Sequence, residues 1–304
     1  SLMSKTSIMG DPANSAYSVF TNAEMPWPTI KISDGSEVVL NQAAFSQLRA
    51  SANVADRELA FNEFWSTWKK FEGTFGELMN GNIKQTLFYS VARKHNSSLE
   101  ASLYGNNIPT DVYHSLIESA NKHLDTFHRY LKLKQRLMGL EQLKYSDLYA
   151  PAVKDVELKY SYEEAQELVL EAVKPLGKEY VDVVKRAFDE RWIDVYPNIG
   201  KSSGAYSNGG AYDVHPYILM NYNGQYTSVG TLIHELGHTM HSYLSNKKQP
   251  YNTSRYAIFV AEVASTFNEA LLDHIMLQKI TDKDQRISLL MNKIGRASCR
   301  ERVC

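Results

Sequence analysis

The chain has 304 residues, 43% of them apolar and 22% charged, which are the proportions of a globular protein with room for one or two domains. Thirty-three Lys and Arg against thirty-four Asp and Glu leave a net charge of −1, which argues against a binder of nucleic acid or anionic membrane, whose affinity needs excess cations. No apolar run approaches the roughly eighteen residues needed to cross a bilayer, and Cys299 and Cys304, both near the C-terminus, cannot staple a core.

The opening segment, SLMSKTSIMGDPANSAYSVF, has no charged leader ahead of an apolar stretch and cleavage site, so no secretory signal is expected. Residues 29–40 alternate apolar and polar around Asp34-Gly35, which predicts a hairpin with a two-residue turn. From about Gln42 to Leu143 the texture is helical. Apolar residues fall three and four apart, as in Leu59, Phe64, Trp68, Phe71 and Phe75, and again in Leu116, Leu124, Phe127, Leu131 and Leu137. Gly105 to Pro109 breaks the run, and Thr110 is placed to cap the next helix. After an irregular segment near Pro151, Ser161 and Glu164 have the spacing of a capping box, with Ala165, Leu168, Val169, Ala172 and Val173 inward. Pro175 and Gly177 punctuate, and another helix runs to about Trp192.

Between Asn198 and Gly224, glycines, tyrosines and the apolar run Tyr217 to Met220 predict a small sheet with loops. Two helices follow, at about 227–247 and 256–279, joined by a turn around Pro250. Aromatic and Met residues on the helices are read as core. The last eleven residues, Ile294 to Cys304, break the helical apolar spacing and resemble an in-frame translation of a sequencing-library adapter. They are expected to be foreign to the natural protein. The remainder is then free of cysteine, which suits a reducing compartment. Asn96-Ser-Ser98 and Asn252-Thr-Ser254 match the glycosylation triplet and are read as bare surface asparagines.

One segment carries chemistry: Thr231 to His241, containing His234-Glu235-x-x-His238. On a helix, residues four apart differ by about 40° in azimuth, so both imidazoles face one point. Two neutral imidazole nitrogens a turn apart suit a tetrahedral Zn²⁺. Glu235 lies about 100° from His234 and about 60° from His238, so it flanks the metal, where a base for an activated water belongs. Leu232, Ile233, Leu236, Met240, Tyr243 and Leu244 form an apolar stripe on the far side.

A catalytic zinc needs a third protein ligand. A third histidine at the spacing HExxHxxGxxH is absent, because His241 and Leu244 occupy the required Gly and His positions. A Glu on a second, antiparallel helix is the other common solution, and Phe259 to Glu269 (FVAEVASTFNE) supplies Glu262 among apolar neighbours where an unpaired carboxylate is costly. The 23 residues between His238 and Glu262 allow two turns of helix, a loop and a return. Glu269, seven residues on, falls on nearly the same face and is read as an outer partner of the centre or a salt-bridge partner. His241 is read as an outer or core histidine rather than a ligand.

HELGHTMH, the downstream FVAEVASTFNE and the upstream GAYS and HPYILMNY together resemble oligoendopeptidase F, of the thimet-oligopeptidase-like family of zinc metallopeptidases, over about residues 10–293. The resemblance implies a mainly α fold like that of thimet oligopeptidase and neurolysin, with helical lobes around a zinc-containing channel and a small β-sheet near the active site. It implies one Zn²⁺ per chain held by His234, His238 and Glu262, with Glu235 as catalytic base, in an endopeptidase that cleaves short oligopeptides. It also implies a division into residues 1–40, the tail of the family's N-terminal domain with the hairpin, and 41–293, the catalytic domain truncated at its C-terminus, ahead of the foreign 294–304. Residues near Tyr217–Asn221 are expected to form the edge strand along which a peptide lies. A cytoplasmic location, and partners limited to peptide substrates without nucleic acid or membrane, follow from the resemblance and the composition. Family members are considerably longer at both ends, and the Tyr and His that help bind substrate and stabilise the oxyanion fall beyond residue 304. Low activity of the chain as it stands is therefore expected. The alternatives are a non-catalytic helical peptide-binding module with a vestigial zinc motif, and a structural zinc protein, which normally closes its site with four ligands, mainly Cys.

Overall fold

The computed structural model describes residues 10–153, 156, 158–198 and 200–301, with side chains described to residue 295. Arg302 and Cys304 lie outside the described residues, as do the side chains of Arg296, Cys299, Arg300 and Glu301. The chain is mainly α-helical, with two small sheets, and it divides at Pro151/Ala152 into two compact units. Among the described residues no helix is long and apolar enough to cross a membrane.

The first unit contains helix α1 (Pro12–Val19), a hairpin of β1 (Thr29–Lys31) and β2 (Glu37–Val39), and helices α2 (Gln42–Leu48), α3 (Val54–Lys69), α4 (Glu72–Ala92), α5 (Ser98–Tyr104), α6 (Thr110–Lys122) and α7 (Leu124–Leu137). Its core is built on Ile30, Leu40, Phe45, Ala60 and Phe64, with the Phe45 and Phe64 rings stacked 4.0 Å apart. The hairpin forms where the sequence predicts, but its turn is longer than the expected two residues. Ile32 and Ser36 still pair, and Ser33-Asp34-Gly35 makes a three-residue loop with Gly35 at φ 89°, so the glycine supplies the left-handed residue that ends such a loop. The Asp34 carboxylate accepts from the Ser36 N–H and hydroxyl, which favours this closure. Pro109, not Thr110, stands at the cap of α6, a shift of one residue.

Reading the aromatic and Met residues of the helices as core fails at Met79 of α4. Met79, Ile83, Leu87 and Val91 stand one turn apart along a stripe that is 54–67% exposed. Within its unit, α4 packs mainly against α1 and α5, and these do not cover that stripe.

The second unit holds α8 (Tyr162–Ala172), α9 (Lys178–Asp189), α10 (Tyr226–Lys248), α11 (Ile258–Lys279) and α12 (Lys283–Glu301) around a three-stranded sheet of β3 (Ile193–Asp194), β4 (Tyr206–Asn208) and β5 (Tyr217–Leu219). The capping box at α8 is present in both directions, Ser161 N–H to Glu164 at 2.7 Å and Glu164 N–H to Ser161 at 3.1 Å. Ala165, Val169, Ala172 and Val173 are buried as the periodicity predicts. Val184, Trp192, Met220, Leu232, Leu236, Leu272 and Met276 complete one contiguous core.

The strand order is β3-β5-β4, with β3 parallel and β4 antiparallel to β5. Tyr217–Leu219 is therefore the central strand, contrary to the edge role expected near Tyr217–Asn221. The reason is β3, formed by residues upstream of the glycine-rich segment, which takes the other side of β5. The two edge strands are β3 and β4, and β4 is the one held against α10 through Ser207 and Thr239.

Candidate active site

The site is built on the two long helices α10 and α11, whose observed bounds lie within two residues of those predicted. Asn223 prepares the start of α10, its side-chain oxygen accepting from the Gln225 N–H at 3.2 Å and from the Ser228 hydroxyl at 2.6 Å. Close passage of α11 against α10 depends on Gly237. A Cβ there would stand 2.5 Å from the Cα of Ser265 and 2.8 Å from the Ala264 carbonyl oxygen. Glycine inside a helix normally costs stability, and here it lets the backbones meet.

Three predicted residues converge. The Nε2 atoms of His234 and His238 lie 3.2 Å apart, and Oε2 of Glu262 lies 3.3 Å from the first and 3.5 Å from the second. A tetrahedral zinc with bonds of about 2.0–2.1 Å sets its ligand atoms about 3.3 Å from one another, so the triangle has the right size. The donor set fits as well. Nδ1 of His234 is engaged by Oε1 of Glu269 at 2.5 Å, and the ring of His238 hydrogen-bonds the Ala261 backbone carbonyl. Two lone-pair nitrogens and a carboxylate oxygen this close repel unless a cation lies among them. His234, His238 and Glu262 are the one group of three or more such side chains among the described residues that could hold a metal ion.

Glu262 reaches the site differently from the expectation. Its side chain is 58% exposed, so burial among apolar residues does not dictate its partner. The Ser265 hydroxyl, one turn on, donates to Oε2 at 2.7 Å and holds the carboxylate in place. The neighbouring Phe259, Val263 and Phe267 are exposed too.

Glu235 is buried, 6% exposed, beside this triangle. Burial pushes its carboxyl above the usual carboxylate range; His234 and the Ser207 backbone N–H pull it down, and the nearby Glu262 and Glu269 push it up. Ser207 belongs to β4 and is pinned to α10 by a 2.7 Å hydroxyl contact with Thr239. Burial also holds the His238 and His241 rings below the ordinary histidine value, favouring neutral imidazole. His241 is not one of the three: its ring stacks on Tyr256 at 3.6 Å, with an interplanar angle of 9°.

Sequence reasoning missed Ser265, Ser207 and Gly237. Ser265 had a signal, three residues after the ligand candidate on the same helix. Gly237, inside an otherwise apolar helix, had one in its missing side chain.

An HExxH helix faced by a second helix that contributes a glutamate brings together, on a mainly α fold, a donor set that could hold a metal ion. The sequence model of peptidase family M3 matches residues 47–302, and the chain belongs to that family. It is 41% identical to oligopeptidase PepF of Bacillus subtilis over 95% of this chain and 43% of that protein. It is 37% identical to group B oligopeptidase PepB of Streptococcus agalactiae over 91% of this chain and 46% of that protein. The crystal structure of oligoendopeptidase-F from Enterococcus faecium superposes with a TM-score of 0.65 at 30% identity, over 98% of this chain and 46% of that one. The chain thus spans about half the length of the curated relatives it matches.

Proposed function

We propose that the chain carries the metal centre of a zinc-dependent endopeptidase acting on short oligopeptides, with His234, His238 and Glu262 as ligands and Glu235 as general base. The observation that carries this reading is the triangle of Nε2, Nε2 and Oε2 atoms with edges of 3.2–3.5 Å. Membership of peptidase family M3 and identity to oligopeptidases support the substrate class.

Zinc held there would polarise a water and the scissile carbonyl, bringing the water's pKa toward about 7. Glu235 takes a proton from the attacking water and returns it to the leaving amine nitrogen. A carboxyl raised by burial suits both steps, because a base whose pKa lies nearer neutrality is also a competent acid. The Ser207 N–H and the Ser207–Thr239 contact keep β4 beside that carboxylate. An extended peptide would lie along the outer side of β4, next to Glu235, which already engages the Ser207 N–H.

The test is metal analysis and peptide digestion on the natural full-length protein, with Glu235→Gln beside it. The expected result is one zinc per chain in both proteins and a loss of about 10²–10⁴-fold in turnover for Glu235→Gln. Peptide binding that is indifferent to chelator, with no hydrolysis by the wild type, would replace the enzyme with a non-catalytic peptide-binding module.

A further inference from the structure

Helix α11 does more than contribute Glu262. Seven residues on, two turns along nearly the same face, Glu269 is 8% exposed and places Oε1 2.5 Å from Nδ1 of His234. His238 is treated differently, for its outward partner is the Ala261 peptide carbonyl on the same helix. One histidine is therefore backed by a full negative charge and the other by a neutral dipole.

We propose that Glu269 is the positioning residue of the centre: its carboxylate holds His234 in the Nδ1-protonated tautomer, so that Nε2 faces Glu262 and His238 as a lone pair, and its charge makes His234 the stronger of the two donors. The inference rests on the zinc reading above. A neutral imidazole offers a lone pair at one nitrogen only, and an acceptor on Nδ1 decides which. Without it the ring is free to flip or to place its proton on Nε2, where it points at the other two donors. Burial of a carboxylate is costly unless it is paired, which makes Glu269 an implausible surface accident. Its distance from His234 names the group it pairs with.

The experiment uses the whole chain labelled with ¹⁵N-histidine, first metal-free and then titrated with zinc against a competing chelator. Long-range proton–nitrogen spectra report which ring nitrogen carries the proton. In the wild type His234 is Nδ1-protonated. Glu269→Gln, whose amide oxygen still accepts, keeps that tautomer but binds zinc less tightly, whereas Glu269→Ala shows mixed tautomers at His234 and binds zinc about 10–100-fold more weakly. The His238 signals stay in place in both variants. A His234 that remains purely Nδ1-protonated in Glu269→Ala, with unchanged zinc affinity, overturns the proposal. Should the Ala variant not fold, a Glu269→Gln protein that matches the wild type in zinc affinity overturns the role of the charge. A wild type with Nδ1-protonated His234 and no affinity for zinc upholds the contact while overturning the zinc centre, so the two failures are distinct.

Discussion

Gly237 and Ser265 meet backbone to backbone, and the candidate metal triangle exists because they do. A methyl group at Gly237 would lie 2.5 Å from the Ser265 Cα and 2.9 Å from its amide nitrogen. Neither atom can rotate away, so α11 itself would have to move. Gly237→Ala is expected to cost about 1–3 kcal/mol in stability and to displace Glu262 from the two histidines. Thermal melting and zinc competition check this together. A variant that melts and binds zinc like the wild type would show that the helices have slack.

A second close approach seats β4 on α10. A Cβ on Gly209 would stand 2.2 Å from Cβ of Ser242 and 2.5 Å from its Oγ. Here the obstacle is a side chain, so the clash has a remedy. Gly209→Ala alone is expected to destabilise and to slow peptide hydrolysis by moving β4 from Glu235. Adding Ser242→Gly is expected to restore most of both, less the 2.8 Å contact between Ser242 and the Tyr256 hydroxyl. Kinetics on the single and double variants decide it.

In the first unit, Arg57 and Asp147 form a buried pair, with Nη2 2.7 Å and Nε 2.8 Å from Oδ1 and both side chains at most 3% exposed. Deleting the acid leaves a guanidinium buried near the ammonium of Lys134. Asp147→Ala is expected to cost about 3–5 kcal/mol, read from the urea midpoint. A cost under 1 kcal/mol would mean that water reaches Arg57.

Lys134 gives a stability signal at alkaline pH. Its ammonium donates to the Leu148 carbonyl at 2.7 Å, but burial depresses its pKa from 10.5 to about 8; Asp147 opposes the shift and Arg57 adds to it. Below about pH 8 the folded state carries the charge at a cost. Between about 8 and 10.5 the folded lysine has released its proton while the unfolded one still holds it, so stability rises with pH over that window. Against Lys134→Met, which lacks the group, the wild type is expected to gain up to about 3 kcal/mol from pH 7.5 to 10.5. Urea midpoints on the two proteins across that range measure it, and parallel curves would refute the depressed pKa.

The sequence by itself determined the parts whose geometry is local. His234 and His238 share a face because four residues make little more than one helical turn, and Ser161 with Glu164 closes a capping box within one turn. A return helix carrying Glu262 was legible from the loop length between the two motifs and from family likeness. Tertiary structure decided everything that depends on how elements meet. It made β5 the central strand rather than an edge, because β3 arrives from outside the glycine-rich segment. It left Glu262 exposed and steadied by Ser265, and turned Glu269 from a residue on the right face into a partner of His234 at 2.5 Å. Periodicity states which way a side chain points from its own helix axis. What stands opposite is set by how closely two backbones pass, and here a glycine against a serine settles that distance.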